Sequence, residues 1–100
     1  MGHCRAAINS YQRGIEVAPQ YFYLPYNLGT LYQSLNRLHD AEVQYKKGAS
    51  ADDTKGEPYN ALGTIRAIQG KRAEARRLFE QALQKDPNLE IARRNLAALQ

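Results

Sequence analysis

His3, Cys4, His39 and Asp40 are the residues whose types and closeness in sequence could support acid–base, nucleophilic or metal chemistry. Their spacing supports none of it. A cysteine nucleophile needs a histidine base and a group to orient that base, and no such framework accompanies Cys4, the single cysteine. A metal held by His3 and Cys4 would need two further ligands at workable spacing, and none is near. His39–Asp40 falls at the turn into a helix, where an exposed start-of-helix pair is expected. Gly48, Gly56, Gly63 and Gly70 do not have the spacing of a phosphate-cradling loop. The sequence therefore predicts no catalytic residues, no cofactor and no metal.

Charge offers a second kind of chemistry. Fourteen Lys and Arg stand against ten Asp and Glu, a net charge of +4. Lys71, Arg72, Arg76 and Arg77 form a cluster, followed by Arg93 and Arg94. Such a surface could attract a phosphate backbone or an acidic partner. However, Arg76–Glu80 and Lys71–Glu74 have the spacing of helical ion pairs, and no aromatic residue interleaves with the arginines as a base-stacking platform requires. Nucleic acid is thus disfavoured as partner, and the basic surface stands as the alternative reading.

These residues need a scaffold, and composition bounds it. One hundred residues make one domain with a modest core. The apolar fraction of 43% suits a folded chain, and one cysteine excludes a disulfide framework. No apolar run approaches the ~20 residues of a membrane helix. The first residues lack the apolar stretch of a signal peptide, and Ala6 occupies the position where a myristoylation motif wants Ser or Thr. No membrane association and a default cytoplasmic location follow as expectations.

Internal repetition fixes the architecture. At an offset of 34 residues, Ala7, Ala41 and Ala75 align, as do Tyr11, Tyr45 and Phe79, and Gly14, Gly48 and Ala82. In the other half of the unit, Leu28, Leu62 and Leu96 align, followed by Gly29, Gly63 and Ala97. A fixed period of this size marks a solenoid whose units pack on their neighbours. Each unit reads as two helices. Apolar residues recur at helical spacing over 24–35 and 38–50, and the pair returns over 58–69 and 72–84. Asn36–Arg37 and Gly70–Lys71 make the tight turns. Pro87 and the Asp52–Asp53–Thr54 run break the chain between units. No strand pattern is present. Gly29 and Gly63 fall mid-helix, where glycine costs about 1 kcal/mol against alanine. The expected compensation is close approach of the second helix, with Ala41 and Ala75 as the opposing small surfaces and Tyr45 and Phe79 filling space between units.

The columns Leu28–Gly29–Tyr32, Ala41, Tyr45, Gly48 and Leu62–Gly63, Ala75, Phe79, Ala82, Pro87 resemble the tetratricopeptide repeat, or TPR. The resemblance covers essentially the whole chain and implies an all-α fold, with helix-turn-helix repeats stacked in a right-handed superhelix. Residues 2–19 correspond to the second helix of a partial repeat, 22–55 and 56–89 to full repeats, and 90–100 to a capping or partial helix. Arg66 departs from the pattern where Tyr32 keeps an aromatic, and Asp53 stands in place of a proline. The inward stripe of the opening helix (Ile8, Tyr11, Ile15) lacks a partner helix, which implies a longer array or self-association through that end. Arg93, Arg94, Asn95 and Gln100 dilute the apolar residues of the last helix, as a cap would.

The resemblance further implies a non-catalytic protein-interaction scaffold that binds a partner protein or peptide in a concave groove lined by the first helices. The corresponding positions here are Tyr23, Tyr26, Thr30 and Gln33, then Glu57, Asn60, Thr64 and Ala67, extended by Ile91 and Arg94. Tyrosine offers large area with few rotors and a polar tip, and Asn60 could both donate to and accept from a peptide backbone. TPR domains that grip the carboxyl terminus of chaperones share a clamp of lysine, asparagine and arginine. Here Tyr26 and Thr30, or Glu57 and Ala61, stand at those places, and only Asn27 fits one register. A chaperone-tail clamp is therefore disfavoured.

Overall fold

A computed structural model describes residues 2–99, with side chains from Cys4 onward. The expectations attached to the side chain of His3 and to Gln100 lie outside the described residues. Six helices follow in order: α1 (Gly2–Val17), α2 (Tyr23–Ser34), α3 (Leu38–Ala51), α4 (Glu57–Ile68), α5 (Arg72–Lys85) and α6 (Glu90–Ala98). The described residues contain no strand. They fall into two compact units, divided between residues 52 and 53.

In the first unit, α1 and α3 each pack on α2. The α2–α3 turn is closed by Asn36, which takes φ +60°. That left-handed residue lets the Arg37 amide donate to the Tyr32 carbonyl (2.9 Å) and the Asn36 amide to the Gln33 carbonyl (2.9 Å), so two of the orphan carbonyls at the helix end are satisfied. Leu28, Ala41 and Tyr45 form the centre of the hairpin, all nearly inaccessible to solvent. A Cβ placed on Gly29 would lie 2.7 Å from the Tyr45 ring. The expected partition of roles is thereby corrected. The tyrosine ring lies against Gly29 inside its own hairpin, and Ala41 contributes its carbonyl there, 3.2 Å from the same point. A flat ring covers more of a glycine gap than a methyl group does, and so buries more area.

The second unit repeats this plan with α4 and α5 and adds α6, which packs on α5. Gly70 (φ +79°) closes the turn, with the Lys71 amide donating to the Arg66 carbonyl at 2.8 Å. Phe79 lies over Gly63, whose hypothetical Cβ would meet the ring at 2.6 Å. Arg66, at the position of Tyr32, bonds the Gln69 side chain (2.9 Å) and faces Glu74 (3.5 Å). Gly56 is a further close approach, since a Cβ there would lie 2.5 Å from the Ala82 carbonyl oxygen.

Candidate functional site

The outward face of α2 carries a row of aromatic and hydrogen-bonding side chains. Pro25, Leu28 and Tyr32 turn inward, which leaves Tyr23, Tyr26, Thr30 and Gln33 on the other side by helical periodicity. Tyr23 is 46% exposed and lies against Tyr21 (ring centroids 5.5 Å) and Phe22 (6.2 Å). Tyr26 is half-buried between Phe22 (6.3 Å) and Tyr45 (5.8 Å). The Thr30 hydroxyl donates to the Tyr26 carbonyl at 3.1 Å. Gln33 closes the row, half-buried.

Tyr45 joins this row from below, and the sequence reading missed it. Its ring belongs to the core, 2% exposed, yet its hydroxyl reaches the α2 face. There Oη donates to Gln33 Oε1 at 2.8 Å, with Thr30 Oγ1 at 3.4 Å. Burial of the phenol raises its pKa above the usual value of 10.0, against a smaller lowering by the Thr30 hydrogen bond. The signal available in the sequence was the Tyr45–Phe79 difference within one repeat column. Read as a matched pair of aromatics, that column hides the hydroxyl.

In the second unit, Glu57, Thr64 and Ala67 are half-buried on α4. Asn60 is placed differently from the expectation of an open amide. It is 8% exposed, and its Oδ1 accepts a hydrogen bond from Asn95 Nδ2 at 3.0 Å, so the side chain ties α4 to α6. Asn95, read as a solubilising cap residue, is the other half of that tie. Thr64 donates to the Asn60 carbonyl at 3.1 Å. Ile91 is 52% exposed, and Arg94 lies 3.9 Å from Glu90.

The basic cluster is partly consumed by the fold. Arg72 donates to the Leu99 carbonyl just past α6, and Arg93 to the Pro87 carbonyl in the loop before it (2.8 Å). Lys71, Arg76 and Arg77 are exposed. The expected Lys71–Glu74 pair is replaced, because Glu74 faces Arg66 from across the hairpin. Asp40 likewise pairs with Arg37 (2.8 Å) beside the exposed His39. Ile8, Tyr11 and Ile15 are half-buried along α1. Ile15 also lines a cleft of 520 Å³ with Pro19, Pro25, Lys46, Lys47, Ser50 and Ala51, a set that shares no residue with the α2 row. Cys4 is half-buried and free, and among the described residues no three His, Cys, Asp or Glu side chains converge as a metal site. No helix among them is long and apolar enough to cross a membrane.

Paired antiparallel helices closed by left-handed turns, with a ring from the second helix set into a glycine gap of the first, define a helical-hairpin repeat. Family models described as tetratricopeptide repeat match residues 26–55 and 56–89. The chain belongs to the tetratricopeptide repeat family, and its fold is an all-α TPR repeat fold. It is 29% identical over 89 residues to the human protein O-mannosyl-transferase TMTC2, covering 86% of this chain and 11% of that protein. It is 30% identical over 94 residues to small glutamine-rich tetratricopeptide repeat-containing protein 2 of Mycosarcoma maydis, covering 93% of this chain and 26% of that one. The chain thus spans about a quarter or less of these relatives. Among solved structures, it resembles the first TPR of Spaghetti (RPAP3) bound to the HSP90 peptide SRMEEVD, with TM-score 0.85, 26% identity, and coverage of 98% of this chain and 78% of that one. The second TPR domain of human RPAP3, in complex with the HSP70 peptide SGPTIEEVD, gives TM-score 0.84, 28% identity, and coverage of 98% and 82%.

Proposed function

We propose that this chain is a non-catalytic interaction scaffold that binds a peptide segment of a partner protein on the outward faces of its first helices. The similarity to two peptide-bound TPR domains carries this reading, since it extends over 98% of the chain at 26% and 28% identity. The organised row Tyr23, Tyr26, Thr30 and Gln33 on α2 supports it, because rigid aromatic area beside hydrogen-bonding groups is what a peptide backbone and its side chains require. The partner segment is neutral or weakly charged over this row, since α2 contains no Asp, Glu, Lys or Arg. Glu57 and Ala61 stand where the clamp for a carboxylate tail needs basic side chains, so the acidic tails SRMEEVD and SGPTIEEVD are expected to bind more weakly than a neutral segment.

A random 12-residue peptide library displayed on phage and panned on the chain tests this, followed by NMR titration of the recovered peptide at low and high salt. Expected are perturbations at Tyr23, Thr30 and Gln33 that persist at high salt. Recovery of no peptide would overturn the reading. Perturbation confined to Lys71, Arg76 and Arg77 and abolished by salt would replace it with the basic-surface alternative.

A further inference from the structure

Tyr45 and Gln33 differ from their counterparts one repeat later in a correlated way. Thirty-four residues on, Tyr45 becomes Phe79 and Gln33 becomes Ala67, while Thr30 stays threonine as Thr64. Both hairpins nonetheless form the same aromatic-over-glycine contact, with Phe79 as deeply buried (2% exposed) as Tyr45 (2%). The second unit is therefore a built-in double variant. It shows that hairpin packing requires neither the hydroxyl nor the amide. A phenol oxygen buried without need costs free energy unless it is hydrogen-bonded. In the first unit that hydrogen bond goes to one particular atom, Gln33 Oε1, at 2.8 Å.

The consequence concerns the other end of the amide. A carboxamide has an acceptor end and a donor end, and free in solvent it offers either to a ligand. With Oε1 occupied by the tyrosine proton, the Gln33 side chain is left to present its NH2 group. That group has no hydrogen-bond partner among the described residues. The neighbouring Thr30 hydroxyl also has its proton committed, to the Tyr26 carbonyl. A donor fixed in orientation takes an acceptor, and the helix around it supplies no cation to draw a charged one.

We propose that Tyr45 is a positioning residue which locks Gln33 as a hydrogen-bond donor, and that this pair makes the first unit read a main-chain carbonyl of an extended peptide. The assignment rests on the peptide-binding reading above and names the group recognised there. The second unit, with Phe79 and Ala67, has no such donor at the equivalent place.

The test is a double-mutant cycle on the whole chain, using the peptide recovered from the phage library as probe and fluorescence anisotropy as readout. Tyr45→Phe copies the residue of the second unit, so the fold is retained; unchanged helicity by circular dichroism checks this. The variant should weaken binding about 3- to 10-fold, the scale of one hydrogen bond whose donor is no longer held in place. In a Gln33→Ala background, the same Tyr45→Phe change should have no effect. Gln33→Glu, which replaces the donor with acceptors, should weaken binding at least as much as Gln33→Ala. Equal affinity for wild type and Tyr45→Phe would overturn the proposal, and so would an equal loss in both backgrounds, which would mean that the hydroxyl contacts the ligand itself. In those two cases the peptide-binding reading survives, because binding is still measured. Failure to recover any peptide would sink that reading, and this proposal with it.

Discussion

Two helical glycines should respond to the same substitution with opposite sign. In a helix interior, alanine is favoured over glycine by about 1 kcal/mol. At Gly14, an added Cβ would lie 3.5 and 3.6 Å from the Leu24 methyl groups, which is ordinary contact. Gly14→Ala should therefore realise most of that gain and raise the melting temperature by about 4–8 °C. At Gly63 the same Cβ would lie 2.6 Å from Phe79 Cε1 and 2.8 Å from Cδ1. The ring is 2% exposed and has little room to retreat. Overpacking of this kind costs about 1–3 kcal/mol, so with the propensity gain subtracted Gly63→Ala should lose about 1 kcal/mol net and lower the melting temperature by a similar 4–8 °C. Thermal and urea melts followed by circular dichroism at 222 nm measure both. A Gly63→Ala/Phe79→Leu double variant should show favourable coupling, because the ring that clashes is gone. If Gly63→Ala stabilised the chain as much as Gly14→Ala does, the glycine gap would not be the seat of the aromatic ring, and the account of the hairpin core would fail.

The raised pKa of Tyr45 predicts a pH dependence. The folded state holds the phenol proton more tightly than the unfolded state, so this contribution to stability is fully present below the ordinary tyrosine pKa of 10.0 and is lost as pH rises through the folded value. Urea midpoints at pH 9 and pH 11 should fall more steeply for wild type than for Tyr45→Phe, and parallel slopes would contradict the burial of the phenol. Asn36 occupies a left-handed conformation (φ +60°) that glycine adopts at less cost. Asn36→Gly should stabilise the chain by about 0.5–1 kcal/mol in a urea melt, whereas Gly70→Ala at φ +79° should destabilise it. Asn95→Ala removes the donor to a buried Asn60 oxygen and should cost about 1–2 kcal/mol, with raised amide exchange in α6 as the local sign. An unchanged exchange rate there would show that the tie does not hold α6.

The hairpins were legible because a 34-residue period is redundant: Leu28 and Leu62, Gly29 and Gly63, Ala41 and Ala75 state the same packing twice. The turns were legible for the same reason, with Asn36 and Gly70 each the residue type that tolerates a left-handed backbone. What periodicity could not supply was depth. Asn60 and Tyr26 share outward positions of a first helix, yet Asn60 is sealed against Asn95 from α6, because the sealing partner comes from an element whose placement no local pattern encodes. Arg72 and Arg93 counted as surface charge for an equally physical reason. Nothing in the helical pattern around them reveals that the Leu99 carbonyl just past α6 and the Pro87 carbonyl in the loop before it will be theirs to bind.

Tyr45 marks where repetition misleads. A repeat column is matched by size and polarity, and by that standard tyrosine and phenylalanine are the same residue. The core treats them so, since both rings fill a glycine gap and both are sealed. The difference is one oxygen, and it emerges on the face where the paired substitution of Gln33 for Ala67 provides its acceptor. Packing therefore accounts for what the two repeats share, and the organised donor on α2 accounts for where they part. In a chain built from copies of one hairpin, correlated departures between copies are where binding specificity has room to develop without disturbing the fold.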